Sequence, residues 1–124
     1  MNNLQQQAKS IRAFIGAENF DISRAFYQDL GFEEVVISAD MSLFRIEGMG
    51  FYLQKYYVKD WIDNTMLFLE VANVAEFWEY LQSLNLSEKY PKVRLTPIKE
   101  YEWGRECFVH DPSGVLWHIG EFYN

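Results

Sequence analysis

Asn19–Leu30 reads NFDISRAFYQDL, and Asn73–Leu84, 54 positions later, reads NVAEFWEYLQSL. Each segment opens on Asn, whose short side chain can accept a hydrogen bond from a backbone N–H in the first turn of a helix. Apolar residues then recur at helical spacing: Phe20, Phe26, Tyr27 and Leu30 in the first, Val74, Phe77, Leu81 and Leu84 in the second. Gly31 and Asn85 follow, the two residue types that best tolerate the left-handed conformation after a helix, and each precedes an apolar residue, Phe32 or Leu86. The spacing predicts two equivalent helices, and a repeat constrains the fold more than local propensity does.

Working outward, the same shift lays IRAFIGA at 11–17 over TMLFLEV at 65–71 as opening strands. Beyond the helices a shift of 64 aligns GFYLQKY at 50–56 with GVLWHIG at 114–120, each preceded by a turn signal, EGMG at 47–50 and DPSG at 111–114. The change of shift leaves about ten additional residues in the second helix-to-strand connection. Each half therefore reads strand, helix, then a short antiparallel meander. The fold class is α+β, with tandem βαβββ modules at about 11–57 and 64–122 of a single domain, 1–124.

Period-2 alternation splits each meander into two faces. With Ile46 opposite Phe51, one face carries Phe44, Ile46, Phe51 and Leu53, and the other carries Leu43, Arg45, Tyr52, Gln54 and Tyr56. With Val115 opposite His110, the second hairpin divides into Phe108, Val115, Trp117 and Ile119 against Arg105, Cys107, Leu116 and His118. In the opening strands Ala13, Ile15 and Ala17, or Leu67, Leu69 and Val71, belong with the helices. Arg12, Phe14, Met66 and Phe68 belong to the mixed face, which suits solvent or a ligand. A slip of one residue would exchange these lists.

The 124 residues are 49% hydrophobic and 18% aromatic, enough for one compact domain. A net charge of −7 disfavours nucleic acid, which needs a basic stripe, and fits a cationic partner better. Cys107 is the single cysteine, so no internal disulfide or paired-thiol zinc site can form, and a reducing compartment is the natural reading. No apolar run is long enough to span a membrane and no leader pattern opens the chain, so the expected location is cytoplasmic.

The double module, together with SRAFYQDLGF at 23–32, Asp63-Asn64-Thr65, Tyr90-Pro91, Trp103-Gly104-Arg105-Glu106 and Asp111-Pro112-Ser113-Gly114 in that order, resembles the vicinal oxygen chelate superfamily of glyoxalases, dioxygenases and bleomycin resistance proteins. The later motifs look most like the bleomycin resistance proteins. The resemblance implies a curved mixed-sheet cleft with helices on its outer face, a homodimer with clefts between chains, and drug sequestration without chemistry. It also implies that Trp103 stacks on the flat part of a ligand. Metal-dependent members take ligands at positions matching Arg12, Gln54, Met66 and His118. Arginine has no lone pair to give and a thioether suits a hard divalent ion poorly, which leaves Gln54 and His118 as weak metal candidates and no implied metal or cofactor.

The expected ligand-binding set is Phe14, Tyr52, Gln54, Tyr56, Trp61, Phe68, Glu102, Trp103, Arg105 and His118. Aromatic rings offer stacking area and attraction for cations, while carboxylates such as Glu102 and Glu106 supply field. No catalytic residue is assigned. Cys107 lies near His118 in this register, but no third group orients the pair, and Cys107 reads as packing. The leading expectation is a binder of a small, bleomycin-like molecule. A lyase or dioxygenase using Gln54 and His118, or a binder of some other small aromatic ligand or antibiotic, stays open beside it.

Overall fold

The computed structural model describes residues 2–124. The first half runs α1 (Asn3–Gln7), β1 (Phe14–Gly16), α2 (Phe20–Leu30), β2 (Glu33–Ser38), β3 (Met41–Ile46) and β4 (Met49–Gln54). After α3 (Lys59–Asp63), the second half runs β5 (Met66–Glu70), α4 (Val74–Ser83), α5 (Leu86–Lys89), β6 (Arg94–Glu100), β7 (Gly104–His110) and β8 (Leu116–Phe122). Each half builds a four-stranded mixed sheet, ordered β1-β4-β3-β2 and β5-β8-β7-β6, with the opening strand parallel to the last. Neither sheet closes on itself.

The two helices begin and end as their sequences predict. Asn19 and Asn73 accept backbone N–H bonds from Ile22 and Glu76 at 3.1 Å each, relieving donors that have no partner inside a helix. Gly31 closes α2 at φ 122°, where a side chain would be strained, and Asn85 follows α4 at φ 54°. The additional residues of the second connection form α5 and the turn after it. The N-terminal segment is different: α1 carries a capping box from Asn2 yet buries nothing, and Leu4 and Ile11 are exposed. Met1 lies outside the described residues.

One core serves both halves. Phe26, Tyr27, Phe44, Phe51 and Leu53 of the first half join Val74, Leu81, Leu86, Val109, Trp117 and Ile119 of the second in a single buried cluster. Each such side chain contributes roughly 1.5–3 kcal/mol by leaving water. Trp117 is the joint: its ring meets Phe51 at 5.3 Å and Tyr27 at 5.9 Å, and its indole N–H donates to the Tyr27 hydroxyl at 2.9 Å. That hydroxyl donates in turn to Asp111 Oδ2 at 2.7 Å, while Asp111 Oδ1 accepts the backbone N–H groups of Ser113, Gly114 and Val115. A buried carboxylate without such donors would be very costly. Burial pushes the Asp111 carboxyl above the ordinary aspartate range and its four donors pull the other way less strongly; burial also drives the Tyr27 phenol well upward.

The hairpin registers differ from the sequence reading. In the first, Ile46 pairs Met49 and Phe44 pairs Phe51, so the turn is Glu47-Gly48 with Glu47 at φ 54°. The slip is by two residues, a whole pleat, and the faces keep their members. In the second, His110 pairs Leu116 instead of Val115, because the Asp111 carboxylate gathers three N–H groups into a five-residue loop, 111–115. This slip is by one residue and turns β7 over. Cys107 and Val109 enter the core, whereas Glu106, Phe108 and His110 move to the mixed face. Arg105 leaves the mixed face, where the sequence reading placed it. Its guanidinium reaches Glu121 at 3.2 Å, and Glu121 accepts the Val74 N–H at 2.9 Å, so the pair caps α4. That N–H bond is the main reason the Glu121 carboxyl sits below its ordinary range; Arg105 adds to it against partial desolvation.

Candidate functional site

The helix-bearing sides of both sheets meet in the shared core, which leaves the two mixed faces outside it. In the first half Phe14 stacks on Tyr52 at 4.8 Å, and Arg12 lies over the Tyr52 ring and donates to its hydroxyl at 3.0 Å. Gln54, Tyr56 and Trp61 line a small adjoining pocket with Phe14, and Tyr56 and Trp61 lie 5.6 Å apart on the segment that leads into α3. Thr65 and Asn64 tie that helix down by bonding the carbonyls of Trp61 and Asp60.

The second half carries the denser patch. Trp103 lies parallel to Tyr101 at 5.3 Å and meets Phe122 at 5.2 Å and Phe68 at 6.2 Å, a ledge of four partly exposed rings. Phe68 continues the ledge to His118, with ring planes 22° apart, and Phe108 packs edge-on against the imidazole at 5.1 Å. Gly120 makes this possible, since a Cβ there would stand 2.5 Å from the Phe68 ring; without one the ring lies over the strand. Glu106 points to the same face, almost fully buried, with its Oε1 2.8 Å from His118 Nδ1. The Tyr101 phenol is pushed up by burial and by this carboxylate.

Among the described residues, no hydrogen bond, ion pair or ring contact joins the two patches. Phe14, Tyr52, Gln54, Tyr56 and Trp61 therefore stand in one place, and Phe68, Trp103 and His118 in another. Gln54 and His118, the weak metal candidates, lie in different sheets, and no group of three His, Cys, Asp or Glu could hold a metal ion among the described residues. Strand pairing also corrects the repeat: Phe14 faces Tyr52 as Phe68 faces His118, so the last strands correspond by a shift of 66, and the counterpart of His118 is Tyr52 rather than Gln54.

Glu102 sits exposed in the turn before Trp103. Sequence reasoning missed Tyr101, Phe108 and Phe122 as members of the ledge and left Glu106 as a general source of charge. The alternation in β7 carries the signal for Glu106 and Phe108 once His110 is paired with Leu116. A separate concavity of about 470 Å³ lies between the start of α2, the turn after α5 and the DPSG turn. Its two lysines are matched by acids, Lys92 with Glu18 at 3.4 Å and Lys89 with Asp29 at 3.9 Å.

No protein-family model and no curated protein matches the chain. Solved structures do. A bleomycin resistance determinant encoded on the transposon Tn5 superposes with a TM-score of 0.78 at 20% identity over 94% of this chain and all of that one. The bleomycin-binding protein of bleomycin-producing Streptomyces verticillus, solved with copper(II)-bleomycin, gives 0.76 at 21% over 94% of this chain and 100% of the other. Lactoylglutathione lyase from Agrobacterium tumefaciens gives 0.70 at 16%, covering 93% and 95% of the two chains. The paired βαβββ halves, their unclosed sheets and these superpositions show that the chain has the fold of the vicinal oxygen chelate superfamily.

Proposed function

We propose that the chain is a stoichiometric binding protein for a planar, cationic small molecule of the bleomycin type, acting in the cytoplasm as a homodimer. The observation that carries this reading is the ledge of Tyr101, Trp103, Phe68 and Phe122 with a buried carboxylate at its inner end. Stacked rings left partly open to water are held ready for a flat guest, and desolvated aromatic faces attract cations. The net charge of −7 adds a long-range pull on such a guest. The second copy supplies what one chain lacks. Its Phe14–Tyr52 face covers the open Phe68–His118 face, so the guest is held between two sheets and kept from other encounters.

Titration calorimetry with metal-free and copper-bound bleomycin tests the drug assignment. The expected result is one molecule bound per chain, with Trp103→Ala weakening binding about tenfold or more, as loss of a central aromatic anchor does. Absence of heat at high micromolar drug overturns it. Elemental analysis of protein purified without chelators tests the competing lyase or dioxygenase reading, which a near-stoichiometric divalent ion would favour.

A further inference from the structure

Glu106 is almost fully buried on the mixed face of the second sheet. A carboxylate so nearly buried beside the Tyr101 and His118 rings is an expensive choice where an apolar side chain of similar volume would pack at lower cost. What it touches is His118: Oε1 lies 2.8 Å from Nδ1, within hydrogen-bond distance. An ionised carboxylate can only accept, so Nδ1 must carry the proton. Among the described residues Glu106 is the acid that meets the imidazole; the other neighbours of the ring are Met66, Phe68 and Phe108, and Tyr101 meets Glu106 rather than the ring. The second ring nitrogen, Nε2, points out of the sheet toward Met66 Sδ at 3.4 Å. Met66 is unbranched and mostly exposed, so its sulfur is easily displaced.

We propose that Glu106 is a positioning residue: it fixes the His118 ring with the Nδ1 proton on the carboxylate side, so that Nε2 presents a hydrogen-bond acceptor at the end of the Phe68–Trp103 ledge. This rests on reading that ledge as the ligand face, and it narrows the ligand class. The guest is a planar heteroaromatic that stacks on the rings and carries an N–H donor at its edge, directed at His118 Nε2.

The first test needs no ligand. Nitrogen-15 NMR of the imidazole at pH 8 reads which ring nitrogen bears the proton. The expected spectrum shows Nδ1 protonated and Nε2 free; an Nε2–H form, or both nitrogens protonated at that pH, overturns the proposal. The second test uses a matched pair of probes, indole and 1-methylindole, which share a ring system while only indole has the N–H. Titrated by NMR at millimolar concentration, the native chain should favour indole about fivefold, the ratio expected for one net hydrogen bond. Glu106→Gln, whose amide oxygen still accepts from Nδ1, should keep both the tautomer and the preference. Glu106→Leu should lose both while still binding 1-methylindole. Equal affinity for the two probes, binding of neither, or a preference that survives Glu106→Leu would overturn the proposal. If bleomycin fails to bind while the indole preference holds, the drug assignment falls and the role of Glu106 stands.

Discussion

The two halves share one scaffold and carry opposite chemistry on it. Phe14 faces Tyr52 as Phe68 faces His118, and in each half an antiparallel strand lies on the far side of the second residue. One step along, Met41 faces Gln54 in the first sheet and Glu106 faces Gly120 in the second. Removing the side chain at 120 opens room for the Phe68 ring to lie over the strand, and Glu106 fits beside it. The cation has no counterpart either. Arg12 lies over Tyr52 and donates to its hydroxyl, while the matching position holds Met66, which leaves His118 Nε2 without a strong partner. A repeated backbone thus carries an arginine over a tyrosine in one half and a histidine beside a buried carboxylate in the other.

Because Trp117 is the joint between the halves, its removal should break the comparison most completely. Trp117→Ala leaves the Tyr27 hydroxyl without its indole donor and opens a cavity against Phe32 and Phe51. Urea unfolding should show a loss of about 3–5 kcal/mol. Replacing the matching Phe51 should cost a similar amount if the core is truly continuous. A loss confined to one half, seen as two separate unfolding transitions, would show that the halves fold independently.

The next contrast is between Ser42 and Cys107, which occupy matching positions on the core side of the two sheets, opposite Leu53 and Ile119. Ser42 has a partner, donating to Glu34 at 2.6 Å; Cys107 is fully buried, and burial pushes its thiol from an ordinary value of 9.0 up to about 11. A thiol whose pKa is raised by folding leaves stability untouched below its unfolded pKa, where both states are protonated. Above it the unfolded chain ionises first, so stability falls as pH rises from about 9 to 11, by about 2–3 kcal/mol. Tyr27 adds a loss of the same sign above its own ordinary value of 10.0. Unfolding free energies of native and Cys107→Ala protein between pH 9 and 10 isolate the cysteine: the native slope should be steeper. Iodoacetamide at pH 8 should modify Cys107 only after denaturation.

The elements that sequence made legible are those set by local rules. Asn19, Asn73, Gly31 and Asn85 bound the helices because capping and left-handed backbone depend on one or two residues. The division of β4 into core and mixed faces survived because alternation is insensitive to a slip of two, and that of β8 because the one-residue slip fell on β7. The face of β7 was not legible, since it depended on how many N–H groups the Asp111 carboxylate gathers, which Tyr27, itself held by Trp117, helps fix from far along the chain. Arg105 and Glu106 exchanged roles on that one residue of register. Trp103 was legible as an aromatic at the mouth of a strand, but its neighbours Tyr101 and Phe122 became visible only once β6, β7 and β8 lay side by side.

The pair Gln54 and Gly120 can be used to turn one half into the other. In Gly120→Gln the new side chain would displace the Phe68 ring, whose nearest atom lies 2.5 Å from the site of the added Cβ. The ledge then loses its link to His118. Affinity for metal-free bleomycin should fall about tenfold, near the upper end of what one aromatic contact contributes, and the ring-current-shifted NMR signals around Phe68 should move. Unchanged affinity would place the guest elsewhere on the surface.

The smallest expected effect lies in the turns. The first hairpin turns through Glu47 at φ 54°, a conformation that costs an ordinary side chain roughly 1–2 kcal/mol, whereas the second places a glycine, Gly114, at φ 108°. Glu47→Gly should make the first turn resemble the second and stabilise the chain by about 0.5–1 kcal/mol, the relief of strain being partly offset by the greater freedom of glycine in the unfolded state. Gly114→Ala should do the opposite and cost more, because the Asp111 carboxylate needs the Gly114 N–H where it is. Thermal midpoints of the two variants should therefore move in opposite directions. If Glu47→Gly lowered the midpoint, the left-handed turn would be held by something other than the strain of its own backbone.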